Sequence, residues 1–491
     1  MNKRTLLRVL PVLLGLQATG WAQSEARHAM SGEVEARVQR IINGLLPRVR
    51  VKDTPSEHLT LVEWMKRLNV PGMSIAVIHG GKVEWARGFG VTRLGGAPVT
   101  TETLFQAGSI SKPVAAMGAL KLVEEGQLNL DKDVNLNLTS WRLPASELTR
   151  DKSVTLRGLV THSAGLTVHG FDGYAAGESV PTLSQVLDGA KPANSAAIRV
   201  DIPPGTKWRY SGGGFTVMQQ MMLDVTHKPF PELMSELVLN PLGMTHSTYQ
   251  QPLPAAKAKQ AATPYLRDLK AVSGGAHTYP EMAAAGLWST AGDLALFAVA
   301  VQQGLTGTKN PVLSQSTLQE MVTRQFENWG LGFRVDGIGD KTTFSHDGVD
   351  EGFDAFLFAY AKTGDGAAIM CNANGAQELA RRLMRAIARE YGWSDFQQEE
   401  RSVVAVAPEL LVSYAGSYQL GTRKISFRVR ENRLFLAAGN IAVALYASNQ
   451  NKFFSVAEGD WYEFTAGNAG AIDLTVTYGR TNGRVTGKRI D

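Results

Sequence analysis

Apolar residues recur along this chain with two different periods, and the change from one to the other divides it. Val34, Val38, Ile41 and Leu45 follow helical spacing, as does the stretch from Leu59 to Leu68. Met73 to Ile78 and Val83 to Gly88 then read as strands on either side of His79-Gly80-Gly81-Lys82, a hairpin in which His79 serves the turn. Val114, Met117, Leu120 and Val123 mark a helix closed by Gly126. Pro113 places its start near Ser109, because proline is tolerated in a first turn and disruptive further in. Leu156 to Leu166 predicts a helix ending at Gly165, with His162 near its end as a structural histidine. Residues 167–205, rich in Gly, Ala, Ser and Pro, predict irregular surface around Phe171, Asp172 and Tyr174, the kind of loop that carries substrate contacts.

Helical spacing returns at Val217, Met218, Met221 and Met222, behind the triple glycine Gly212 to Gly214. Ser289 and Thr290 ahead of Asp293 and Leu294 predict a capped helix start. Phe353 to Tyr360 and Ala367 to Cys371 read as strands about a turn at Thr363 to Gly366, and Leu379, Leu383 and Ile387 as a terminal helix. Strands from both ends around a helical middle describe an α+β fold. Past Glu399 to Ala407 the helical period disappears. From Tyr414 onward short alternating runs follow one another, from Ile425–Val429 and Leu434–Ala437 to Leu474–Tyr478 and Val485–Ile490. They predict a small all-β barrel or sandwich without a chemical motif. The expected division is a leader at 1–22, a first domain over 30–392, a linker at 393–407 and the β domain at 408–491.

Charge and composition narrow the function classes. The formal net charge is +5, but Lys3, Arg4 and Arg8 stand in the leader, leaving 5 − 3 = +2. That is too little to argue for nucleic acid or an anionic membrane as partner. The leader itself joins basic residues to the apolar run Val9 to Leu16 and the small residues of Gly20-Trp21-Ala22, a secretory signal too short to span a bilayer. We therefore expect export, periplasmic or secreted, with no membrane anchor after cleavage. Cys371 is the only cysteine, so no internal disulfide forms, and its apolar strand makes it a core residue.

Candidate chemistry starts at Ser109 and Lys112, three residues apart at a helix start and so on one face. A lysine there is partly desolvated and meets the positive end of the helix dipole, which favours the basic free amine beside a serine nucleophile. The same pair also suits an N-capping serine and a solvated lysine. Other chemistries find no footing. No His-Glu-x-x-His or cysteine pair supports a metal site, no glycine-rich phosphate loop or dinucleotide fingerprint is present, and Thr161 stands where a Gly-x-Ser-x-Gly elbow needs glycine. A serine mechanism without cofactor or metal leads by elimination.

Ser109-Ile110-Ser111-Lys112, Tyr210-Ser211-Gly212 and His346-Asp347-Gly348 resemble, in order, the three motifs of the penicillin-binding-protein and class C β-lactamase superfamily. Val70-Pro71-Gly72-Met73, Leu159 to Leu166, Pro241-Leu242-Gly243-Met244 and Gly286-Leu287-Trp288-Ser289-Thr290 extend the resemblance over roughly residues 30–392. The tail resembles the lipocalin-like β domain often appended to these serine hydrolases. The resemblance implies a β-lactamase/transpeptidase-like fold, an antiparallel sheet flanked by a helical region. It implies an acyl-enzyme on Ser109, with Lys112 and Tyr210 sharing the proton, since a phenol of pKa about 10 is a poor base unless an ammonium stabilises its phenolate. It further implies an oxyanion hole from the backbone N–H groups of Ser109 and Val349, and substrate lying against the strand edge at Gly348.

Two departures from the family pattern bear on substrate. Gly212 stands where the second motif usually has asparagine, whose amide contacts the acylamido group of β-lactams and peptides. His346 stands where the third often has lysine, and Asp347 beside it adds negative charge if it faces the site. Both point away from efficient β-lactam hydrolysis and toward a small-molecule ester, amide or D-amino-acid peptide, with an ester or amide leading. A D-amino-acid peptidase or weak β-lactamase is the rival enzyme reading. A catalytically silent cell-wall-binding protein is the rival of another class, which the intact Ser109, Lys112 and Tyr210 argue against.

Overall fold

A computed structural model describes residues 32–491 apart from 56–57, 309, 439–440, 468–471 and 480–481. The expected leader at 1–22 therefore lies outside the described residues. Ten strands belong to the first part of the chain: β1 Val49–Val51, β2 Gly72–His79, β3 Lys82–Gly90, β4 Phe105–Gln106, β5 Trp288–Ser289, β6 Arg334–Asp336, β7 Thr343–Asp350, β8 Phe353–Tyr360, β9 Gly366–Cys371 and β10 Glu399–Arg401. Six of them make one antiparallel sheet in the order β3-β2-β9-β8-β7-β6.

Helices cover both faces of this sheet, which is why every residue of β2 before His79 and all of β9 are buried. Alternation along each strand sends side chains to two cores. Met73, Ile75 and Val77 of β2 meet the terminal helix Gln377–Tyr391 and the helix at 32–42. Ala76 and Ile78 meet the helical half, whose central helix Ala291–Leu305 is buried nearly all round. Thr290 caps that helix by accepting the Asp293 N–H at 3.1 Å, as its sequence position predicts. Cys371 is a buried core residue. Among the described residues no helix is long and apolar enough to cross a membrane.

The expected helix to Gly165 stops at Val160 instead. Thr161 turns its hydroxyl back to the Arg157 carbonyl at 2.8 Å and His162 takes a left-handed backbone with φ 59°, so the chain leaves the helical path. Tyr174 is not part of an irregular surface. It is buried, and its hydroxyl accepts the Asn194 N–H at 3.1 Å.

Eight antiparallel strands from Gly416–Leu420 to Arg484–Arg489 close into a barrel, with Tyr418 set opposite Arg489 at the seam. The first of these and the helix Pro408–Tyr414 were not in the sequence pattern, because only Tyr418 and Leu420 of that strand point inward. Tyr414 plugs one end by stacking on Phe464 at 4.5 Å. Residues 393–407 hold β10, which pairs in parallel with β1. Behind that ribbon the barrel docks through Val49 and Val51 against Phe454, and through the Val49 N–H to the Val456 carbonyl at 2.9 Å.

Candidate active site

Ser109 sits in a single 3-10 turn, Gly108–Ile110, that runs into the helix Ser111–Glu124. The turn is pinned from three sides. Ser111 Oγ donates to the Gly108 carbonyl at 2.6 Å, the Leu287 N–H donates to Ser111 Oγ at 2.9 Å, and Tyr249 donates to the Ser111 carbonyl at 2.7 Å. A nucleophile held by buried neighbours loses little entropy on reaching the reactive geometry.

Lys112 is 2% exposed. Its Nζ lies 2.8 Å from Ser109 Oγ and donates to the Ala284 carbonyl at 2.8 Å. Burial lowers its pKa to about 7 against an opposing pull from Asp350. Asp350 is itself buried and its carboxyl is pushed well upward, so we read the two groups as holding little charge together. The N–H of Gly108 bonds that carboxyl, while its Oδ2 has no partner among the described residues.

Tyr210 is hydrogen-bonded to Ser109, and Lys112 Nζ stands 5.0 Å from its ring centre. Burial keeps its phenol protonated, with Asp347 and Asp350 adding to the effect. Rings enclose it: His162 at 4.2 Å, His169 at 4.9 Å, Trp329 at 5.9 Å and His346 at 6.2 Å between centres. His162 is held through its Nδ1, which accepts the Ser211 N–H at 3.1 Å, while its Nε2 is buried without a partner among the described residues. Trp329 is a wall of the site with no sequence signal, sitting in a loop without a motif.

The third motif lies on β7, and alternation decides what each residue does. His346 and Asp350 point to the helical half with Phe344, whereas Asp347 pairs opposite Phe356 on the other face. His346 is 5% exposed, and burial next to Lys112 lowers its pKa to about 3, so it is neutral. Its Nδ1 donates to the Asp347 carbonyl at 2.6 Å, which leaves Nε2, buried and unpartnered among the described residues, as an acceptor. β6 covers β7 only over Thr343 to Ser345, so the edge from His346 onward faces the Ser109 turn. Two glycines permit this approach. A Cβ on Gly348 would stand 1.9 Å from the Ala107 carbonyl, and one on Gly108, whose φ is +51°, would stand 2.5 Å from Val349 N. The Ser109 turn and the Gly348–Val349 backbone thereby lie in close contact.

Gly212 does not line the opening. It begins the helix Gly212–Thr226, and a Cβ there would press on the His169 carbonyl and the Phe171 ring, both at 3.1 Å. The loop at 169–171 occupies the space an asparagine side chain would need. A cavity of about 870 Å3 contains Ser109, Lys112, Tyr210, His346, Asp347 and Val349, with His169 and Phe171 on its rim. Glu281, fully buried beside this region, has a carboxyl pushed up to about 7 by burial, against a weaker pull from its own backbone N–H. Among the described residues no group of three or more His, Cys, Asp or Glu side chains is placed to hold a metal ion.

Residues 60–391 match the profile of the family described as Beta-lactamase. Unguisins hydrolase ungD' of Aspergillus campestris (strain IBT 28561) is 27% identical over 218 residues, 41% of this chain but only 38% of that protein's length. Penicillin-binding protein 4 of Amycolatopsis lactamdurans is 24% identical over 366 residues, spanning 68% of this chain and 91% of that one. Esterase EstB of Burkholderia gladioli is 28% identical over 207 residues, 41% of this chain and 51% of its own. In three dimensions, the octameric penicillin-binding protein homologue from Pyrococcus abyssi superposes with a TM-score of 0.59 at 22% identity, covering 87% of this chain and 98% of that one. Its agreement establishes the shared fold.

Proposed function

This chain belongs to the Beta-lactamase family, and within it we propose an exported serine acyl hydrolase that opens ester or amide carbonyls through an acyl-enzyme on Ser109. The observation that carries the reading is Lys112: a buried amine with a pKa near 7, 2.8 Å from a serine hydroxyl. A base is most effective when its pKa lies close to the working pH. The relatedness to an esterase and a hydrolase supports the substrate class.

In the first step the free amine of Lys112 takes the Ser109 proton as Oγ bonds the carbonyl carbon. Tyr210, hydrogen-bonded to Ser109 and held protonated by burial, does not compete for that proton. The oxyanion forms between the amides of Ser109 and Val349, since backbone dipoles fixed by the fold need little reorganisation as charge develops. The proton then passes from Lys112 through Tyr210 to the leaving oxygen or nitrogen, and the C–O or C–N bond breaks. Water repeats the sequence against the acyl-enzyme, restoring Ser109. Export rests on the leader sequence.

His346, neutral and aimed inward, offers an acceptor where a lysine would attract a carboxylate, and the 169–171 loop fills the acylamido position at Gly212. Both favour a simple acyl group over a β-lactam. The test is to incubate the mature protein and Ser109→Ala with p-nitrophenyl esters, a chromogenic cephalosporin and D-alanyl peptides, followed by intact mass. Ester turnover with an acyl adduct absent from Ser109→Ala is the expected result. Absence of turnover and adduct with every probe defeats the reading, and cephalosporin hydrolysis faster than ester hydrolysis defeats its substrate class.

A further inference from the structure

The cavity that opens at Ser109 does not end there. It continues over the outward side of β7 and β8, past Phe356 and Phe358, to Met384 and Phe396 and then to Arg48, Arg381 and Arg385 beside the barrel. Phe356, Phe358, Met384 and Phe396 give the stretch between its apolar surface, with Ser345 and Asp347 of β7 set beside Phe358 and Phe356. Its far end is cationic, and one of its cations is unlike the rest.

Arg48 is paired with Glu399 at 2.9 Å, Arg381 with Glu458 at 2.9 Å, and the adjacent Arg382 with Glu378 at 2.9 Å. Arg385 is 5% exposed, has no ion-pair partner among the described residues, and its Nη1 is buried without a hydrogen bond. The charges that bear on it are Glu458 on one side and Arg382, Arg48 and Arg381 on the other, three cations against one anion. Of the remaining acids on this wall, Asp347 lies on β7 opposite Phe356, and Asp395 and Asp336 are engaged elsewhere. Asp395 accepts the Tyr360 hydroxyl at 2.7 Å, and Asp336 is held by Arg334 at 2.6 Å. Burial and the neighbouring arginines lower the guanidinium to about 10, so it stays charged at neutral pH.

A buried, charged guanidinium whose Nη1 meets no acceptor is costly unless a ligand supplies one. We propose that Arg385 holds a carboxylate borne by the substrate itself, separated from the scissile carbonyl by an apolar spacer that lies along Phe356 and Phe358. The spacer accounts for the lining between the two ends, and the carboxylate for the unpaired guanidinium. The attachment of that carboxylate to a hydrolysed ester or amide rests on the acyl-hydrolase reading above.

The test compares two ester series on the full-length mature protein. One carries the carboxylate on the acyl chain, as p-nitrophenyl half-esters from succinate to dodecanedioate. The other carries it on the alcohol, as acetyl esters of ω-hydroxy acids of matching length. Each probe is measured beside its neutral methyl-terminated isostere. The expected result is a kcat/KM ratio, charged over neutral, that peaks at one chain length in one series and reaches about tenfold or more. Arg385→Met collapses that ratio to near one through KM, and Arg385→Lys restores part of it. Using a ratio within each variant cancels any general loss from misfolding. A flat ratio at every length in both series, or a peak that survives Arg385→Met, overturns the proposal. If no ester of any kind is turned over, the acyl-hydrolase reading fails separately. Calorimetry with suberate on Ser109→Ala then decides the anion site, with Arg385-dependent binding retaining it and no binding removing it.

Discussion

Two clusters of aromatic rings, one around Tyr210 and one inside the barrel, show how differently similar residues are used. In the barrel Tyr414, Tyr418, Phe427, Phe453 and Phe464 pack on one another, and the Tyr418 hydroxyl donates to the Tyr414 carbonyl at 3.1 Å. Around Tyr210 the rings of His162, His346 and Trp329 instead enclose an amine, and Nε2 of both histidines is buried without a partner among the described residues. The first arrangement maximises apolar contact at no polar cost. The second keeps titratable groups out of water and so shifts Lys112 and His346 from their ordinary values. Stability resides in the one, chemistry in the other.

The largest expected break in this comparison is Lys112→Met. It keeps the length of the side chain and removes the base, so ester kcat/KM should fall on the order of a thousandfold or more. Its melting temperature should move little, since a buried amine is replaced by an apolar group of like size. A variant that keeps a tenth of the activity would remove Lys112 from the mechanism.

The converse substitution is Phe464→Ala in the barrel, where the ring touches Tyr414, Tyr418, Phe427 and Phe453. It should cost about 3–5 kcal/mol in chemical denaturation. Turnover per folded molecule on a short neutral ester should remain within about twofold. A selective loss of turnover would show that the barrel shapes the Ser109 end of the cavity.

A pH series sharpens the same contrast. The free amine of Lys112 is the active form, and its pKa lies near 7, so kcat/KM should drop about tenfold per unit below that value. The folded chain also binds this proton less tightly than the unfolded one. Stability should therefore rise with pH between about 7 and the ordinary lysine range near 10.4. Loss of the acid limb in the profile would contradict the assignment.

The smallest effect is expected from Gly212→Asn. Restoring the family's asparagine should not confer cephalosporin hydrolysis, because the new side chain meets the His169 carbonyl and Phe171. Ester activity should fall severalfold as the 169–171 loop shifts. A gain of cephalosporin turnover would show that the loop yields readily.

Much of this molecule was legible in the chain because its signals are local. Apolar periods marked the β2–β3 hairpin, the Ser111–Glu124 helix and most barrel strands, and the spacing of Ser109 and Lys112 put both on one helical face. Elements that stop for non-periodic reasons were misjudged. The helix after Leu156 ends where the Thr161 hydroxyl bonds its own backbone, which no count of apolar positions detects.

The sequence by itself determined the family, the order of the three motifs, and the two places where they depart from pattern. Tertiary structure decided what those residues are. Lys112 has its pKa lowered because segments far along the chain, among them Ala284, exclude water from it. His346 is neutral for the same reason, and a side chain on Gly212 would crowd a loop some forty residues earlier that packs there. Arg385 reads in the chain as one more charge on an amphipathic helix, and only folding leaves it buried and unpaired. Burial and through-space charge depend on which distant segments meet, and spacing along a chain carries no record of that.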